Sequence, residues 1–421
     1  MDFNKEIYEH VEQLCKAAKN AEFAIANSSF VQRNDALINI ANALIDNTSE
    51  ILQANALDVE SAEKNGVIKT MIDRLTLNET RIKGISDSLL ELVEIKDVLG
   101  AGEVWTRPNG LEIKRVKVPI GVVAIIYEAR PNVTVDAAAL CIKTGNAVVL
   151  RGGKEAINTN RVFIKLMKKA LEDSGICPDC LALIDITSRE SARVLMNMKE
   201  YIDVLIPRGS AGLIKSVVEN AKMPVIETGA GNCHLYVDKD ADIDMAVKVA
   251  SNAKNQRPSV CNAIETLLVH SDVAQEFLPK FADVSSKYDL EIRGCERTRE
   301  ILKGVGSATE EDYATEFDDN IIAVKVVDSV KEAVDHINKY NTKHSEAIIT
   351  NNVETARYFQ KSIDAAVVYV NASTRFTDGN EFGFGAEIGI STQKIHARGP
   401  MGLDALTTVK YYVVGDGQIR T

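Results

Sequence analysis

Cys261 is the residue of this sequence whose type and surroundings best suit covalent chemistry. It lies in the polar segment Asn255-Gln-Arg-Pro-Ser-Val-Cys-Asn262, between a predicted helix and a predicted strand that starts at Ala263. The thiolate is the nucleophilic form of cysteine, and a neighbouring positive charge such as that of Arg257 favours it. A loop cysteine is also often inert, so the segment alone leaves both interpretations open.

Glu227 is a second candidate, 34 residues before Cys261. It follows the apolar Pro224-Val-Ile226 and opens the glycine-rich segment Thr228-Gly-Ala-Gly-Asn232. A buried carboxylate there would exchange protons near neutral pH; the structural alternative is that it accepts hydrogen bonds from the glycine-rich backbone. One predicted strand and one helix separate the two candidates, so we expect both at the carboxyl edge of a sheet, where α/β proteins place their sites.

Gly209 and Ser210 form a possible anion-binding loop. They follow a β-rich run and precede a predicted helix, whose free N–H groups attract phosphate. An ordinary serine N-cap is the alternative. The sequence contains neither a Walker motif nor a complete Gly-x-Gly-x-x-Gly, which disfavours a Walker NTPase and a conventional Rossmann enzyme.

The composition excludes several classes of partner. The 421 residues have a formal net charge of −11, with 45% hydrophobic and 26% charged residues, which is typical of a globular protein of two or three domains. The negative charge argues against nucleic acid. Because no apolar stretch approaches the ~20 residues of a membrane span and no secretory signal starts the chain, we expect a cytoplasmic protein. Cys177-Pro-Asp-Cys180 has no second pair, so no metal is expected.

The elements that must position these residues follow from periodicity. Apolar residues recur at helical spacing over residues 4–96, and β-rich runs then alternate with helices, which predicts βαβ units with parallel sheets. Two exposed strand patterns, 111–118 and 407–414, need partners; pairing with each other or across a subunit boundary would make an oligomerisation arm. The other predicted strands are 121–127, 147–151, 181–186, 202–206 and 224–226, followed by 234–237, 264–269, 321–327, 346–350 and 366–370.

The order of these features resembles the aldehyde dehydrogenase superfamily across nearly the whole chain. Asn146 in Thr144-Gly-Asn-Ala-Val-Val-Leu-Arg151, Gly209-Ser210, Glu227-Thr-Gly229 and Cys261 carry this resemblance. Four segments are similar to the members that reduce L-glutamyl 5-phosphate: Tyr127-Glu-Ala-Arg-Pro-Asn-Val-Thr134, Glu227-Thr-Gly-Ala-Gly-Asn-Cys-His234, Arg257-Pro-Ser-Val-Cys-Asn262, and Phe384-Gly-Ala-Glu-Ile-Gly-Ile-Ser391 followed by His396-Ala-Arg-Gly-Pro-Met-Gly402.

The resemblance implies an α/β fold with two Rossmann-like parallel-sheet domains and a small β arm. Residues 1–104 and 120–230 would form the cofactor-binding domain, and 231–390 the catalytic domain with the nucleophilic cysteine. Residues 105–119 and 405–421 would be the oligomerisation strands of a homo-oligomer.

It also implies roles for individual residues. Cys261 would carry the acyl group as a thioester, Asn132 and the Cys261 N–H would bind the oxyanion, and Glu227 matches the general base. Counting back from Asn146 without gaps aligns Glu128, and not Asn132, with the usual oxyanion asparagine, so that position stays open.

The implied cofactor is NADPH. Lys154 falls where NAD-preferring members carry a glutamate, and a base there favours a 2′-phosphate; a solvated turn is the alternative interpretation of Arg151-Gly-Gly-Lys154. Further implied cofactor contacts are Arg151, Gly209, Ser210 and Glu316. Arg257, Arg375 and Arg398 would bind the substrate's phosphate or carboxylate, although Arg375 and Arg398 could each equally form a structural ion pair.

The implied activity is the NADPH-dependent reduction of L-glutamyl 5-phosphate to L-glutamate 5-semialdehyde, a step of L-proline synthesis. The implied partners are this small-molecule substrate and a glutamate 5-kinase that supplies it. An aldehyde dehydrogenase that hydrolyses its thioester to a free acid is the alternative. Ser259-Val260 stands before Cys261 where hydrolytic members usually carry Gly-Gln, which favours the reductase.

Overall fold

The computed structural model describes residues 3–128 and 130–420. Ala129, in the first motif segment, and residues 1, 2 and 421, at the ends of the predicted domains, lie outside the described residues. The helices are α1 (Lys5–Ala26), α2 (Phe30–Asp46), α3 (Thr48–Lys64), α4 (Lys69–Leu75), α5 (Glu79–Glu94), α6 (Pro131–Lys143), α7 (Ile157–Asp173), α8 (Arg189–Leu195), α9 (Ala211–Asn220), α10 (Ile243–Asn255), α11 (Ser271–Ser286), α12 (Glu296–Ile301), α13 (Glu310–Tyr313), α14 (Val330–Tyr340) and α15 (Val353–Ser362).

The strands alternate with these helices over most of the chain. They are β1 (Gly102–Thr106), β2 (Glu112–Pro119), β3 (Val122–Tyr127), β4 (Ala147–Arg151), β5 (Leu181–Leu183), β6 (Val204–Arg208), β7 (Cys233–Val237), β8 (Ile264–His270), β9 (Glu291–Gly294), β10 (Gly306–Ser307), β11 (Ile321–Val327), β12 (Ser345–Ile349), β13 (Val367–Val370), β14 (Ile390–Ser391), β15 (Gly399–Pro400) and β16 (Thr407–Val414).

The amino-terminal helices form where capping and apolar periodicity agree. Ser29 and Gln32 make a reciprocal capping box at the start of α2, which satisfies amides that have no partner within the helix. Leu37, Ile40 and Leu44 follow at helical spacing and are fully buried. This pattern confirms the predicted helical region.

The first compact unit contains the described residues up to Glu227, Gly383–Gly389, and those from Met401 onward. Its four-stranded parallel sheet has the order β5-β4-β3-β6. β3 is buried along its whole length, as expected for a parallel strand covered on both faces. Tyr127 of β3 lies opposite Arg208 of β6, which brings the segments after these two strands side by side.

A separate antiparallel sheet of this unit has the order β1-β2-β16. Thr407 pairs with Pro119 and Val414 with Glu112, so the two predicted exposed strands pair with each other along their whole length. This is one of the two arrangements that the sequence left open. β16 is an edge strand of this sheet and is exposed beyond Thr407.

The second compact unit comprises Thr228–Phe382 and Ile390–Pro400. Its seven-stranded parallel sheet has the order β10-β9-β11-β8-β7-β12-β13, and β14 and β15 form a small antiparallel pair. Phe277 and Phe281 of α11 stack on each other with ring centroids 5.8 Å apart, within a core that includes residues of β7, β8 and β11. The predicted fold class, two parallel sheets with a small antiparallel sheet, is confirmed.

Some predicted elements are wrong in detail. Residues 224–226 form no strand but a single bridge between Val225 and Leu205, because Pro224 has no N–H to extend a ladder and the glycine-rich segment follows. The predicted strand at 202–206 is observed at Val204–Arg208, and the one at 181–186 ends at Leu183. The short strands β9 and β10 were not predicted, since two to four residues carry too little periodicity.

Candidate active site

Cys261 lies in a tight turn at the entrance to β8, where the amide of Ala263 donates to the carbonyl of Val260 at 2.9 Å. The residue is half-buried. A Cβ atom on Gly231 would overlap the carbonyl of Cys261, so the glycine-rich segment runs directly against the backbone of the candidate nucleophile. The thiol of Cys233, at the start of β7, donates to the same carbonyl at 3.2 Å. These contacts hold the backbone of Cys261 in place.

Glu316 belongs to the same cluster. Its Oε1 atom accepts the amide hydrogen of Gly231 at 2.6 Å. Burial raises the pKa of this carboxyl group, and the hydrogen bond from Gly231 opposes that effect. Glu316 therefore binds the glycine-rich segment that contacts Cys261.

Arg375, one of the three predicted substrate arginines, lies near both Cys261 and Arg257. Arg375 donates through Nη1 to Oδ1 of Asn262 and through Nε to Gln256 at 3.0 Å. Burial lowers the pKa of Arg375, the charge of Arg257 lowers it further, and Cys261 opposes both effects. Arg375 is thus close enough to interact electrostatically with both Arg257 and Cys261.

Arg398 is engaged elsewhere in the same unit. Its Nη2 atom forms an ion pair with Asp364 at 3.1 Å. Lys394 reaches the same carboxylate at 2.9 Å and Lys343 at 3.6 Å. The side chain therefore occupies a partly exposed ion-pair network, which is the structural alternative named for it above.

In the first unit, Gly209 and Ser210 connect β6 to α9. The Ser210 hydroxyl accepts from the amide of Leu213 and caps the helix. The carboxylate of Glu128 accepts both the amide hydrogen of Ser210 at 2.7 Å and its hydroxyl hydrogen at 3.0 Å. A Cβ atom on Gly209 would overlap that carboxylate. The predicted anion-binding position thus receives a negatively charged side chain of the chain itself.

Arg151 and Lys154 follow β4. Arg151 donates through Nη2 to the carbonyls of Thr187 at 2.7 Å and Ser188 at 2.8 Å, and burial lowers its pKa. Lys154 is exposed at the start of a short 3₁₀ turn. Arg151 therefore stabilises the neighbouring loop at Thr187 and Ser188, while the ammonium of Lys154 faces solvent.

Asn132 and Glu227 complete the first unit's candidates. Asn132, in the first turn of α6, donates through Nδ2 to Asp136 at 2.9 Å. Burial raises the pKa of Asp136 to about 6, although the hydrogen bond from Asn132 and the charge of Arg208 oppose that rise. Glu227 is half-buried and directly follows the residues bridged to β6.

Several contributing residues were missed by sequence reasoning. Cys233 was interpreted as packing; it is buried, but its thiol also contacts Cys261. Asp136 was not singled out, although its spacing of four residues from Asn132 on one helix was a usable signal. Glu128 entered only as an alternative oxyanion residue, and its contact with Ser210 depends on the pairing of β3 with β6.

The described part of the chain holds no group of three or more His, Cys, Asp or Glu side chains arranged to bind a metal ion. Cys177 is exposed and Cys180 buried, and both are free thiols. Among residues 3–128 and 130–420, no helix is long and apolar enough to cross a membrane.

Three features define the class of protein to which the chain belongs. They are the two parallel sheets, the small antiparallel sheet, and the turn at Cys261 that lies against the glycine-rich segment. A model of the aldehyde dehydrogenase family matches residues 2–294 and 314–411, and the chain belongs to this family.

Within the family, the chain is similar to particular enzymes. The gamma-glutamyl phosphate reductase of Heliobacterium modesticaldum is 57% identical over 415 residues, which cover 98% of this chain and 100% of that protein. That of Clostridium acetobutylicum is 57% identical over 407 residues, covering 96% and 97%. The crystal structure of gamma-glutamyl phosphate reductase from Thermotoga maritima matches with a TM-score of 0.96 at 47% identity, covering 98% of this chain and 100% of that one. The predicted family is confirmed.

Proposed function

We propose that this chain reduces L-glutamyl 5-phosphate to L-glutamate 5-semialdehyde and phosphate with NADPH, a cytoplasmic step of L-proline synthesis. The proposal depends above all on the fixed backbone of Cys261 against Gly231, with Arg375 within electrostatic reach of both Cys261 and Arg257. The names of relatives that match the chain end to end support the choice of substrate.

Cys261 is the proposed nucleophile. Its thiolate adds to the acyl carbon and phosphate leaves, which conserves the acyl group as a thioester. Arg257 and Arg375 are proposed to bind the phosphate, because a guanidinium pairs bidentately with such an anion. Arg398 is a further candidate for the substrate carboxylate, which would have to displace Asp364.

The tetrahedral oxyanion needs donors placed in advance. The backbone N–H of Cys261 and the side-chain amide of Asn132 are the proposed pair. A side-chain amide has two N–H donors, and one donates to Asp136, which fixes the orientation of the other. Glu227 is proposed to handle protons only for the aldehyde, because water that it activated against the thioester would give the free acid and not the aldehyde.

The aldehyde dehydrogenase family uses a nicotinamide cofactor, which when bound supplies the hydride for reduction. The residues proposed to hold NADPH are Arg151, Lys154, Gly209, Ser210 and Glu316. Two observations fit the binding of NADPH. The ammonium of Lys154 is exposed, and the Ser210 amide, which here donates to the carboxylate of Glu128, is a position at which an anionic group of a ligand would bind.

A Cys261→Ala variant tests the proposed nucleophile. It should lose reductase turnover while binding NADPH with unchanged affinity, and iodoacetamide should modify Cys261 of the wild-type chain before its other thiols. Cys177→Ala removes an exposed thiol and should retain activity. Wild-type turnover in Cys261→Ala would refute the mechanism.

We further propose that β16 pairs with a second copy of this chain in a homo-oligomer. β16 is exposed and lies at the edge of its sheet, and such an edge is a template for another strand. Deleting residues 408–421 should yield monomers or insoluble material in light scattering. A native-sized, active oligomer after deletion would contradict this assignment.

A further inference from the structure

Arg375 bridges the two ends of the loop that contains Cys261. This loop, residues 256–262 and called here the Cys261 loop, lies between α10 and β8. The guanidinium donates through Nε to Oε1 of Gln256 at 3.0 Å and through Nη1 to Oδ1 of Asn262. Arg375 therefore binds the first and the last residue of the loop, on either side of the candidate nucleophile.

The segment that contains Arg375 is also bound to the Cys261 loop through neighbouring groups. The hydroxyl of Thr374 donates to the carbonyl of Asn262 at 2.6 Å, and Nδ2 of Asn262 donates to the carbonyl of Thr377 at 2.9 Å. Asn262, Thr374 and Thr377 are buried. Hydrogen bonds of buried groups thus set the position of Arg375 relative to the loop.

The acceptors of Arg375 are neutral, which distinguishes this residue from other arginines of the second unit. No carboxylate of the described residues lies within ion-pair distance of its guanidinium. Burial lowers its pKa, and Asp378 and Glu381 oppose this change only through their charges. Four arginines of the same unit pair with carboxylates: Arg293, Arg297, Arg357 and Arg398. Because an amide oxygen accepts a hydrogen bond without carrying a charge, the positive charge of Arg375 remains available to an anion.

An available cation at this place suits the proposed chemistry in two ways. A positive charge close to Cys261 favours its thiolate. A guanidinium also pairs bidentately with phosphate, and it has five N–H groups, of which the two amides of the loop engage two. A carboxylate in place of either amide would still accept the hydrogen bond, but it would neutralise the charge.

We propose that Gln256 and Asn262 are positioning residues that hold Arg375 beside Cys261 through neutral acceptors, so that its charge remains available to the phosphate and to the thiolate. The inference rests on the proposed function, in which Arg375 binds the phosphate, and extends it to two residues that act through Arg375. A purely structural role makes a different demand. It requires only an acceptor at position 256, which glutamate supplies as well as glutamine does.

Gln256→Glu changes the charge of the acceptor and keeps the hydrogen bond. Gln256 is exposed, so the variant should fold with an unchanged or raised Tm. In calorimetric titration of the full chain with inorganic phosphate, we expect Kd to rise about fivefold, because phosphate must first break an exposed ion pair. The rate constant for alkylation of Cys261 by iodoacetamide at pH 7 should fall about threefold, because the thiolate is less favoured.

The same variant should separate the two substrates of the oxidative direction. With glutamate 5-semialdehyde and NADP, we expect KM for phosphate to rise about fivefold and KM for the semialdehyde to change less than about twofold. Asn262→Asp should weaken phosphate binding more strongly, because Asn262 is buried and a buried charge is less screened.

Asn351→Asp is the matched control. Asn351 is exposed and follows the carboxyl end of β12, whereas Cys261 precedes the amino end of β8, and both strands run parallel to β7. The control therefore adds the same charge to the same unit at the opposite edge of the sheet. Phosphate affinity, alkylation rate and both KM values should equal those of wild type.

Phosphate binding and alkylation do not require turnover, so they test the inference separately from the proposed function. Wild-type values of both in Gln256→Glu would overturn the inference and leave the proposed function standing. Weaker phosphate binding and slower alkylation in Gln256→Glu, together with a wild-type chain that shows no reductase turnover, would support the inference while refuting the function.

Discussion

The carboxylate of Glu128 accepts two hydrogen bonds from Ser210, one from the backbone amide at 2.7 Å and one from the hydroxyl at 3.0 Å. Ser210 stands at the amino terminus of α9, where helix N–H groups favour negative charge. The side chain of Glu128 therefore occupies the position at which we propose that a cofactor phosphate binds.

Replacing Glu128 with glutamine should strengthen NADPH binding. The neutral side chain competes less well for the Ser210 amide and no longer repels phosphate, so we expect Kd to fall about fivefold to tenfold, or roughly 1 kcal/mol. Fluorescence titration of NADPH measures the change. Glu172→Gln, an exposed carboxylate of α7, should leave Kd unchanged, and weaker binding in Glu128→Gln would show that Glu128 helps to hold the cofactor.

Reversing the charge at residue 154 should discriminate between the two nicotinamide cofactors. With Lys154 near the adenine ribose, Lys154→Glu sets a carboxylate against the 2′-phosphate and should raise KM for NADPH at least about tenfold, with little effect on NADH. Lys165→Glu, on α7 and paired with Glu50, is the matched control. An equal rise in KM for both cofactors would show that Lys154 does not lie at the cofactor site.

Gly231→Ala should inactivate the enzyme. The added Cβ would overlap the carbonyl of Cys261, and a displacement of about 1 Å at a nucleophile can cost about 100-fold in rate. Gly84→Ala is the control, because a Cβ there meets nothing within 4 Å and alanine in a helix is favoured by about 1 kcal/mol. We expect lower Tm and kcat in the first variant and a raised Tm in the second; full activity in Gly231→Ala would contradict the described contact.

His336 should make the folded chain sensitive to acid. It is buried and packs against the rings of Tyr313 and Tyr340. Burial lowers its pKa to about 2, and the charges of His234, Lys325 and Lys339 add to this effect. Because an unfolded histidine has a pKa near 6.5, the unfolded chain binds the additional proton below that pH. The free energy of unfolding therefore falls as pH drops below about 6.5, by roughly 2 kcal/mol at pH 5.

Urea unfolding of His336→Phe at pH 7 and pH 5 measures this contribution. The variant should lose about 2 kcal/mol less than wild type between the two conditions. Identical pH sensitivity of wild type and His336→Phe would contradict the assignment.

The sequence predicts long helices and strands well, because in a long element many apolar residues recur at the spacing that is typical of that element. β3, β11 and β16 and the helices of the amino-terminal region lie close to where periodicity indicates them. Residues 224–226, which form only a bridge at Val225, were predicted as a strand because they are three apolar residues in a row. Such a run does not show whether a neighbouring strand can form a continuous set of hydrogen bonds with it.

The contacts of the candidate site are harder to predict from the sequence than the long helices and strands. The order of motifs indicated Cys261 and Glu316, but the contact of Gly231 with Cys261 arises where β7 and β8 become neighbours in a sheet. The contact of Glu128 with Ser210 likewise requires the pairing of β3 with β6. Both depend on tertiary register, which local propensity does not encode.

We propose that a thioester on Cys261 is exchanged with phosphate and not with water. Water needs a general base and a clear path, whereas phosphate arrives as an anion and needs a positively charged pocket, for which Arg257 and Arg375 are the proposed groups. The decisive measurement is the steady-state formation of NADPH from glutamate 5-semialdehyde with and without phosphate or arsenate. We predict sustained turnover only when either anion is present, with at most a single-turnover burst otherwise. Rapid multiple turnover in phosphate-free buffer, with glutamate as the product, would rule out the phosphate-dependent mechanism and show that Glu227 activates water.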